Sequence, residues 1–430
     1  MTERVLLIGG GGREHAIARA VSAGDATLFA CAGNRNPGIA RLASDTTVLE
    51  TTDTEAVVSY AESVDATLAV VGPETPLQAG VVDALDAAGI YAFGPPQEAA
   101  RLETDKVFQR EFMDDNDITG CPDYRTFTDP EEACSFVDEY DGDLAIKPAG
   151  LTGGKGVKVI GDQVTPEEGK TYIRESGHDR IVLEERLVGE EVTIQAFVAN
   201  GDVRPTPAVQ DHKRAFEGDE GPNTGGMGSY SDADRVLPFM TEADYEAAVD
   251  ILEETVSALP SYRGILYGQF MLTAEGPKVV EFNARFGDPE AMNTLPVLQT
   301  DFLSILTAAR DGKPLPELSF APKATVCKYA VPAGYPTDPE SGTKVTIDEA
   351  AADPATLFYA SVDERDDGIY TTTSRSFAVV GIDDTISTAE SQAETAISAA
   401  GETGLHVRHD IGTEALVQRR IDHMNELRDH

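Results

Sequence analysis

Positive charge is what this chain has least of: 34 lysines and arginines stand against 75 aspartates and glutamates in 430 residues, a formal charge of −41. Such a polyanion is repelled by nucleic acid and by anionic membrane surfaces, so neither is expected as a partner. Long hydrophobic runs are missing as well. No apolar stretch reaches 18 residues and no basic flank precedes the short run at 5–8, so membrane insertion and export are not expected. Cysteine is sparse: Cys31, Cys121, Cys134 and Cys327 lie far apart with no C-x-x-C pair, which fits reduced, buried thiols in a cytoplasmic protein better than a disulfide framework or zinc site. Repeats and low-complexity segments are absent too. An apolar content of 41% is enough to build cores, so the surplus carboxylates must coat folded domains. Self-repulsion of that size is tolerated where salt screens it, and a salt-rich, halophilic cytoplasm is the expected setting.

What is present reads as several domains. An apolar run at 4–8, four glycines at 9–12 and helical spacing from 13 to 23 give strand, turn and helix. Further runs at 27–32 and 67–72, with helical segments at 54–63 and 77–88, predict an open parallel α/β domain over 1–104, closed by Gly94-Pro95-Pro96. A helix at 102–114 follows. Turn-separated strands at 144–148, 157–160, 181–184, 191–199, 265–272 and 278–282 then predict an α+β domain over 105–320. Strands at 324–330 and 377–380 and a helix at 388–400 predict a small α+β domain over 321–430. The fold class is therefore α/β and α+β, multidomain.

The glycine turn is close to a dinucleotide fingerprint, but its sixth position is Glu14 or His15 where a small residue is needed, and no acidic residue ends the second strand. An anionic or phosphorylated substrate at the helix N-terminus, with Arg13 and Glu14, fits better; a tight turn without ligand is the alternative. Lysines occur only between 106 and 344. Lys147 ends an apolar strand and leads into Pro148-Ala149-Gly150-Leu151-Thr152-Gly153-Gly154-Lys155-Gly156, a loop of free amides able to fold over a polyphosphate. It is not a Walker A loop, because Gly156 follows Lys155 and the loop joins two strands. The strand-link-strand segment 181–191 offers backbone at Leu187 to an adenine edge and Glu191 to ribose hydroxyls. In 278–285, period-2 alternation sets Val279, Glu281, Asn283 and Arg285 on one face and Val280, Phe282 and Ala284 on the other. A turn at 273–277 pairs Gln269 with Glu281, so Gln269, Glu281 and Asn283 form a hard oxygen set for Mg2+ or Mn2+ bridging nucleotide phosphates.

Together with Ile8-Gly9-Gly10-Gly11-Gly12-Arg13-Glu14-His15-Ala16, Val71-Gly72-Pro73-Glu74-Thr75-Pro76-Leu77, Gln210-Asp211-His212-Lys213-Arg214, Gly221-Pro222-Asn223-Thr224-Gly225-Gly226-Met227-Gly228 and Glu281-Phe282-Asn283-Ala284-Arg285-Phe286-Gly287-Asp288-Pro289-Glu290, these features make the chain resemble, end to end, the phosphoribosylamine–glycine ligase (glycinamide ribonucleotide synthetase) family of the ATP-grasp superfamily. The resemblance implies a pre-ATP-grasp N-terminal domain, a two-lobed ATP-grasp domain whose lobe at about 120–190 covers the nucleotide, and a small C-terminal domain. It implies that glycine, phosphoribosylamine and ATP give glycinamide ribonucleotide, ADP and phosphate in purine biosynthesis, with Mg2+ or Mn2+. ATP contacts would come from Lys106, Lys147, Gly153, Gly154, Lys155, Gly156, Glu184, Leu187 and Glu191, with Lys155 and Arg285 neutralising the transferring phosphoryl group. Gly12, Arg13, Glu14, Glu74, Asp211, Lys213, Asn223, Thr224, Arg285 and Asp288 would meet glycine and phosphoribosylamine. Partners would be these small molecules alone, and the protein a monomer or weak dimer. Two departures stand out: the 147–156 loop lacks the aspartate of a Lys-Ala-Asp-Gly-Leu form, and Thr373-Ser374-Arg375 replaces Gly-Gly-Arg.

Overall fold

The structure is a computed structural model that describes residues 2–150 and 156–429. Strands β1 (Glu3–Ile8), β2 (Ala26–Ala32), β3 (Asp45–Val48), β4 (Leu68–Val71) and β5 (Tyr91–Phe93) form an all-parallel sheet in the order β3-β2-β1-β4-β5. Strand β1 shows why: Leu6 and Ile8 feed one core and Val5 and Leu7 another, so both faces are covered, as a parallel sheet requires. The strand order reverses between β1 and β4, and the glycine turn after β1 and the Gly72-Pro73-Glu74 turn after β4 open at that switch point, where such sheets bind ligands. Gly9 has φ of +119°, and a Cβ there would lie 2.7 Å from Pro73 Cδ, so only glycine lets the two turns meet.

Two expected helices are divided. The segment expected at 77–88 consists of Glu74–Gln78 and Val81–Ala87, parted at Gly80 with φ of +82°. The segment expected at 102–114 belongs to Gln97–Thr104 and Lys106–Asp115, parted at Asp105, whose backbone is extended. Asp105 caps the second helix by accepting from the amides of Val107 and Phe108, both at 3.1 Å. Periodicity cannot see this break, yet it makes Lys106 the first residue of a helix that faces the β-sheets beyond.

Among the described residues the central region holds two four-stranded antiparallel sheets and a two-stranded ladder of residues 214–216 with 220–223. The first sheet has β6 (Tyr124–Phe127), β7 (Leu144–Pro148), β8 (Lys158–Val159) and β9 (Ile181–Glu185) in the order β6-β9-β7-β8, over a separate core that includes Ile146, Ile173 and Leu183. In the chain there follow β10 (Glu190–Ala199), β11 (Asp202–Pro205), β12 (Gln210–Asp211), β13 (Arg214–Phe216), β14 (Glu220–Asn223), β15 (Gly228–Ser231), β16 (Gly264–Thr273), β17 (Gly276–Asn283) and β18 (Ala324–Pro332). Strands β11-β10-β16-β17 form the second sheet. Strands β12 and β15 pair instead onto β18, in a sheet completed by Phe377–Asp383, Thr356–Tyr359 and Leu405–Val407 and backed by the helix Ile386–Ala400. The C-terminal sheet thus takes two strands from the central segment and binds the 210–228 loops to it.

Candidate active site

A cavity of about 440 Å³ lies where the switch point of the parallel sheet, the β16–β17 surface, the 210–225 loops and residues 360–375 converge. Gly12, Arg13, Glu14, Glu74, Lys106, Lys147, Asp211, Lys213, Thr224, Glu281, Asn283, Arg285 and Asp288 all line it. Gly156, Glu184, Leu187, Glu191, Asn223 and Gln269 do not, while Gly153, Gly154 and Lys155 fall outside the described residues. Asn34, Glu103, Tyr267 and Ser361 join the lining from segments that carry no recognisable motif of their own, and Arg375 joins it from the altered Gly-Gly-Arg position.

The oxygen set is assembled by strand pairing. Gln269 stands opposite Glu281, as the turn length predicts, but Phe270 pairs with Val279, leaving Val280 as a bulge. The strict alternation expected along β17 therefore fails. Val279 turns into the core with Phe282, both at 0% exposure, instead of sharing a face with Glu281. Glu281 receives Lys106 Nζ at 2.9 Å and Asn283 Nδ2 at 3.2 Å, with Lys213 Nζ at 3.7 Å. Burial alone would raise its pKa, but Lys106 and then Lys213 outweigh it and hold the carboxyl well below its ordinary range. Gln269 is buried behind it, taking Lys213 on Oε1 and donating to Glu191 at 2.5 Å. Among the described residues no group of three His, Cys, Asp or Glu side chains could hold a metal. The oxygen set contains one carboxylate and two amides.

Lys147 enters from β7. Its Nζ meets Glu184 Oε2 at 2.6 Å and the Val280 carbonyl at 2.9 Å. Burial lowers its pKa to about 8, partly countered by Glu184. Glu184 is 2% exposed and stands behind Lys147; its pKa, which burial would raise, is driven down to about 2 by Arg110 and then Lys147. Leu187 is half-buried in the link after β9 and Glu191 half-buried at the start of β10, and Gly156 accepts from the Tyr172 hydroxyl at 2.8 Å. Asn223 is half-buried in β14 opposite Arg214.

The other end of the cavity is built on arginines. Arg285 bridges Glu103 at 2.9 Å and Glu74 at 3.5 Å. Arg375 binds Asp288 at 3.2 Å, and Tyr329 donates to the same carboxylate at 2.6 Å. Arg375 also donates to Gly226 and Asp288 carbonyls, so the departure from Gly-Gly-Arg keeps a working arginine at its third position. Asp288, despite burial, is held below its ordinary pKa by Arg375 and Arg13. The glycine turn differs from the simple anion seat expected at a helix N-terminus: the carboxylate of Glu14 itself accepts from Gly11 N at 2.6 Å and from Arg13 at 2.6 Å, so the turn carries its own counter-charge. Asp211 has its pKa raised by burial and by the nearby charge of Glu290. The cavity thus sets Lys106 and Lys213 against the ionised Glu281 and Lys147 against the ionised Glu184 at one end, and three arginines with their carboxylates at the other. That distribution suits a polyphosphate beside a small anionic or zwitterionic substrate.

The N domain, ATP-grasp (A) domain and C domain of phosphoribosylglycinamide synthetase match residues 3–103, 104–291 and 325–414. The phosphoribosylamine–glycine ligase of Methanosarcina barkeri is 52% identical over 99% of this chain and 100% of its own length, and that of Methanopyrus kandleri is 50% identical over 99% of each. Among solved structures, the phosphoribosylamine–glycine ligase of Thermotoga maritima superposes with a TM-score of 0.80 at 26% identity, covering 95% of this chain and 99% of that one.

Proposed function

Since the chain belongs to the phosphoribosylglycinamide synthetase family, the ATP-grasp ligases whose relatives carry the name phosphoribosylamine–glycine ligase, we propose that it joins glycine to phosphoribosylamine through glycyl phosphate, in purine biosynthesis. One observation supports this most: Lys106, Lys147 and Lys213, from three separate elements of a lysine-poor chain, converge on one end of a single cavity. A carboxylate is a poor acyl donor until phosphorylated. Glycine's carboxylate oxygen must attack the γ-phosphorus in line as the bond to the ADP oxygen breaks, and the charge spread over the phosphoryl oxygens must be neutralised. Lys106, Lys147 and Lys213 hold and neutralise the phosphates, while Arg285 stands between them and the switch-point turns. The ribosylamine nitrogen then attacks the glycyl carbonyl, phosphate leaves, and the nitrogen loses a proton. No protein nucleophile is required.

The residues present fit a divalent cation. Glu281 is held ionised and, with Asn283 on the same cavity wall, offers hard oxygens of the kind Mg2+ or Mn2+ takes, while Gln269 would complete the set on releasing the Lys213 ammonium from its Oε1. When bound, such an ion would neutralise phosphate charge as a Lewis acid. Lys155 and the glycines beside it would cover the phosphates, and Leu187 and Glu191 would meet adenine and ribose. Gly12, Arg13, Glu14, Glu74, Asp211, Lys213, Asn223, Thr224, Arg285 and Asp288 are assigned to phosphoribosylamine and glycine, Lys213 and Arg285 standing where these substrates would meet the transferring phosphoryl group. The domain limits proposed are 1–104, 105–320 and 321–430. The direct test is product mass: ATP, glycine and phosphoribosylamine together should give glycinamide ribonucleotide, and omission of any one should abolish it. Product formed without glycine would sink the reading.

Lys147 makes the reaction pH-dependent. Its ammonium is lost as pH rises through about 8, so kcat/KM for ATP should fall about tenfold per pH unit above that point, the limb belonging to free enzyme. Lys147→Arg should move this limb to higher pH; an unchanged profile would remove Lys147 from phosphate binding. No described helix is long and apolar enough to cross a membrane. We further assign the protein to a salt-rich cytoplasm, as a monomer or weak dimer with no nucleic-acid or membrane partner. Its unfolding temperature should therefore climb steadily as KCl is raised from low to molar concentration, because screening relieves the repulsion of a −41 charge. A flat response would contradict the halophilic assignment.

A further inference from the structure

Arg110 is 1% exposed and plays no part in the ligation set out above. It lies one turn beyond Lys106 on the Lys106–Asp115 helix. Its Nε and one terminal nitrogen hold the two oxygens of Glu184 at 2.8 and 2.9 Å, and that terminal nitrogen also donates to the carbonyls of Val279 at 3.0 Å and Val280 at 2.8 Å. Both acceptors of Lys147, the Glu184 carboxylate and the Val280 carbonyl, are therefore fixed by the same guanidinium. The β17 bulge is what makes this possible, since it brings consecutive carbonyls within reach of one donor group. Glu184 remains a carboxylate throughout the working pH range, so it is a permanent acceptor.

Burying a guanidinium, a carboxylate and an ammonium together is a poor route to stability, because apolar residues of the same volume serve as well or better. What an apolar filling cannot do is aim an ammonium. We propose that Arg110 is a positioning residue for ATP: from outside the cavity it locks Glu184 and the Val279 and Val280 carbonyls in place, and so fixes the direction in which Lys147 presents its charge to the nucleotide phosphates. The proposal rests on the reading of the cavity as an ATP site. A lysine at 110 cannot replace the bidentate fork.

The test is a double-mutant cycle on the full-length protein, with the dissociation constant of MgATP from calorimetry and kcat/KM as readouts. Arg110→Lys should weaken ATP binding about tenfold while KM values for glycine and phosphoribosylamine stay within about twofold, and in a Lys147→Met background it should cost less than about twofold more. Equal effects of Arg110→Lys in both backgrounds would show a general structural role and overturn the proposal. If Arg110→Lys does not fold, Glu184→Gln in the same cycle asks the same question, because Arg110 acts through that carboxylate. Wild-type protein that binds ATP but makes no product would defeat the ligase reading and leave the cycle readable; wild-type protein that does not bind ATP would overturn both.

Discussion

Replacing Glu281 with glutamine should lower kcat on the order of 10³-fold while the fold survives. The carboxylate is the one anionic oxygen donor in the set with Gln269 and Asn283, and it also holds Lys106 at 2.9 Å and Lys213 at 3.7 Å. Glutamine keeps the shape and the hydrogen bond from Asn283 Nδ2, but it cannot neutralise a cation or organise two ammonium groups about one point. Circular dichroism should change little, because Glu281 lies on the cavity wall and not in the apolar core, while the unfolding temperature should fall somewhat as Lys106 and Lys213 lose their counter-charge. Turnover within tenfold of wild type would remove Glu281 from the phosphoryl-transfer centre.

Arg285→Met should be damaging in a second way, costing about 3–5 kcal/mol of stability as well as activity, because it strips the partner from a buried carboxylate. Glu103 is 3% exposed and receives Arg285 at 2.9 Å and Ala284 N at 2.7 Å. Burial already raises its pKa above the ordinary carboxyl value. Without Arg285 the penalty should grow with pH, since a carboxyl whose folded pKa is raised loses stability as pH climbs from its unfolded pKa towards its folded one. Adding Glu103→Gln to Arg285→Met should recover most of the stability and none of the activity. Denaturant titration and steady-state rates on the two variants check this; recovery of both together would make Arg285 a structural residue only.

The sequence carries the three central strands of the parallel sheet and the β16–β17 pair because both follow from local rules, apolar runs ended by small or turn residues in one case and a hairpin-length turn in the other, whereas the edge strands β3, polar and exposed, and β5, three residues long, leave no such signal. The Gln269–Glu281 pairing is legible for that reason. The Val280 bulge is not, since no local residue marks it and the groups that take its carbonyl, Arg110 and Lys147, lie far away in the chain. The same limit explains Glu184, which motif position marks as a nucleotide contact and which the fold turns towards Arg110 and Lys147. Glu103 escapes notice because it lies within a helix, and Arg375 is marked only as the third position of an altered Gly-Gly-Arg; tertiary packing alone brings them beside Arg285 and Asp288. The break at Asp105 left a signal, an aspartate positioned to cap a helix, that an uninterrupted apolar periodicity conceals.

The central claim is that glycine's carboxylate is phosphorylated before the amide forms, and oxygen tracing tests it most directly. Glycine labelled with 18O in both carboxylate oxygens, supplied with ATP, Mg2+ and phosphoribosylamine, should release phosphate carrying one 18O per turnover and leave one in the amide. Phosphate released without label, or label found in a nucleotide, would contradict the account.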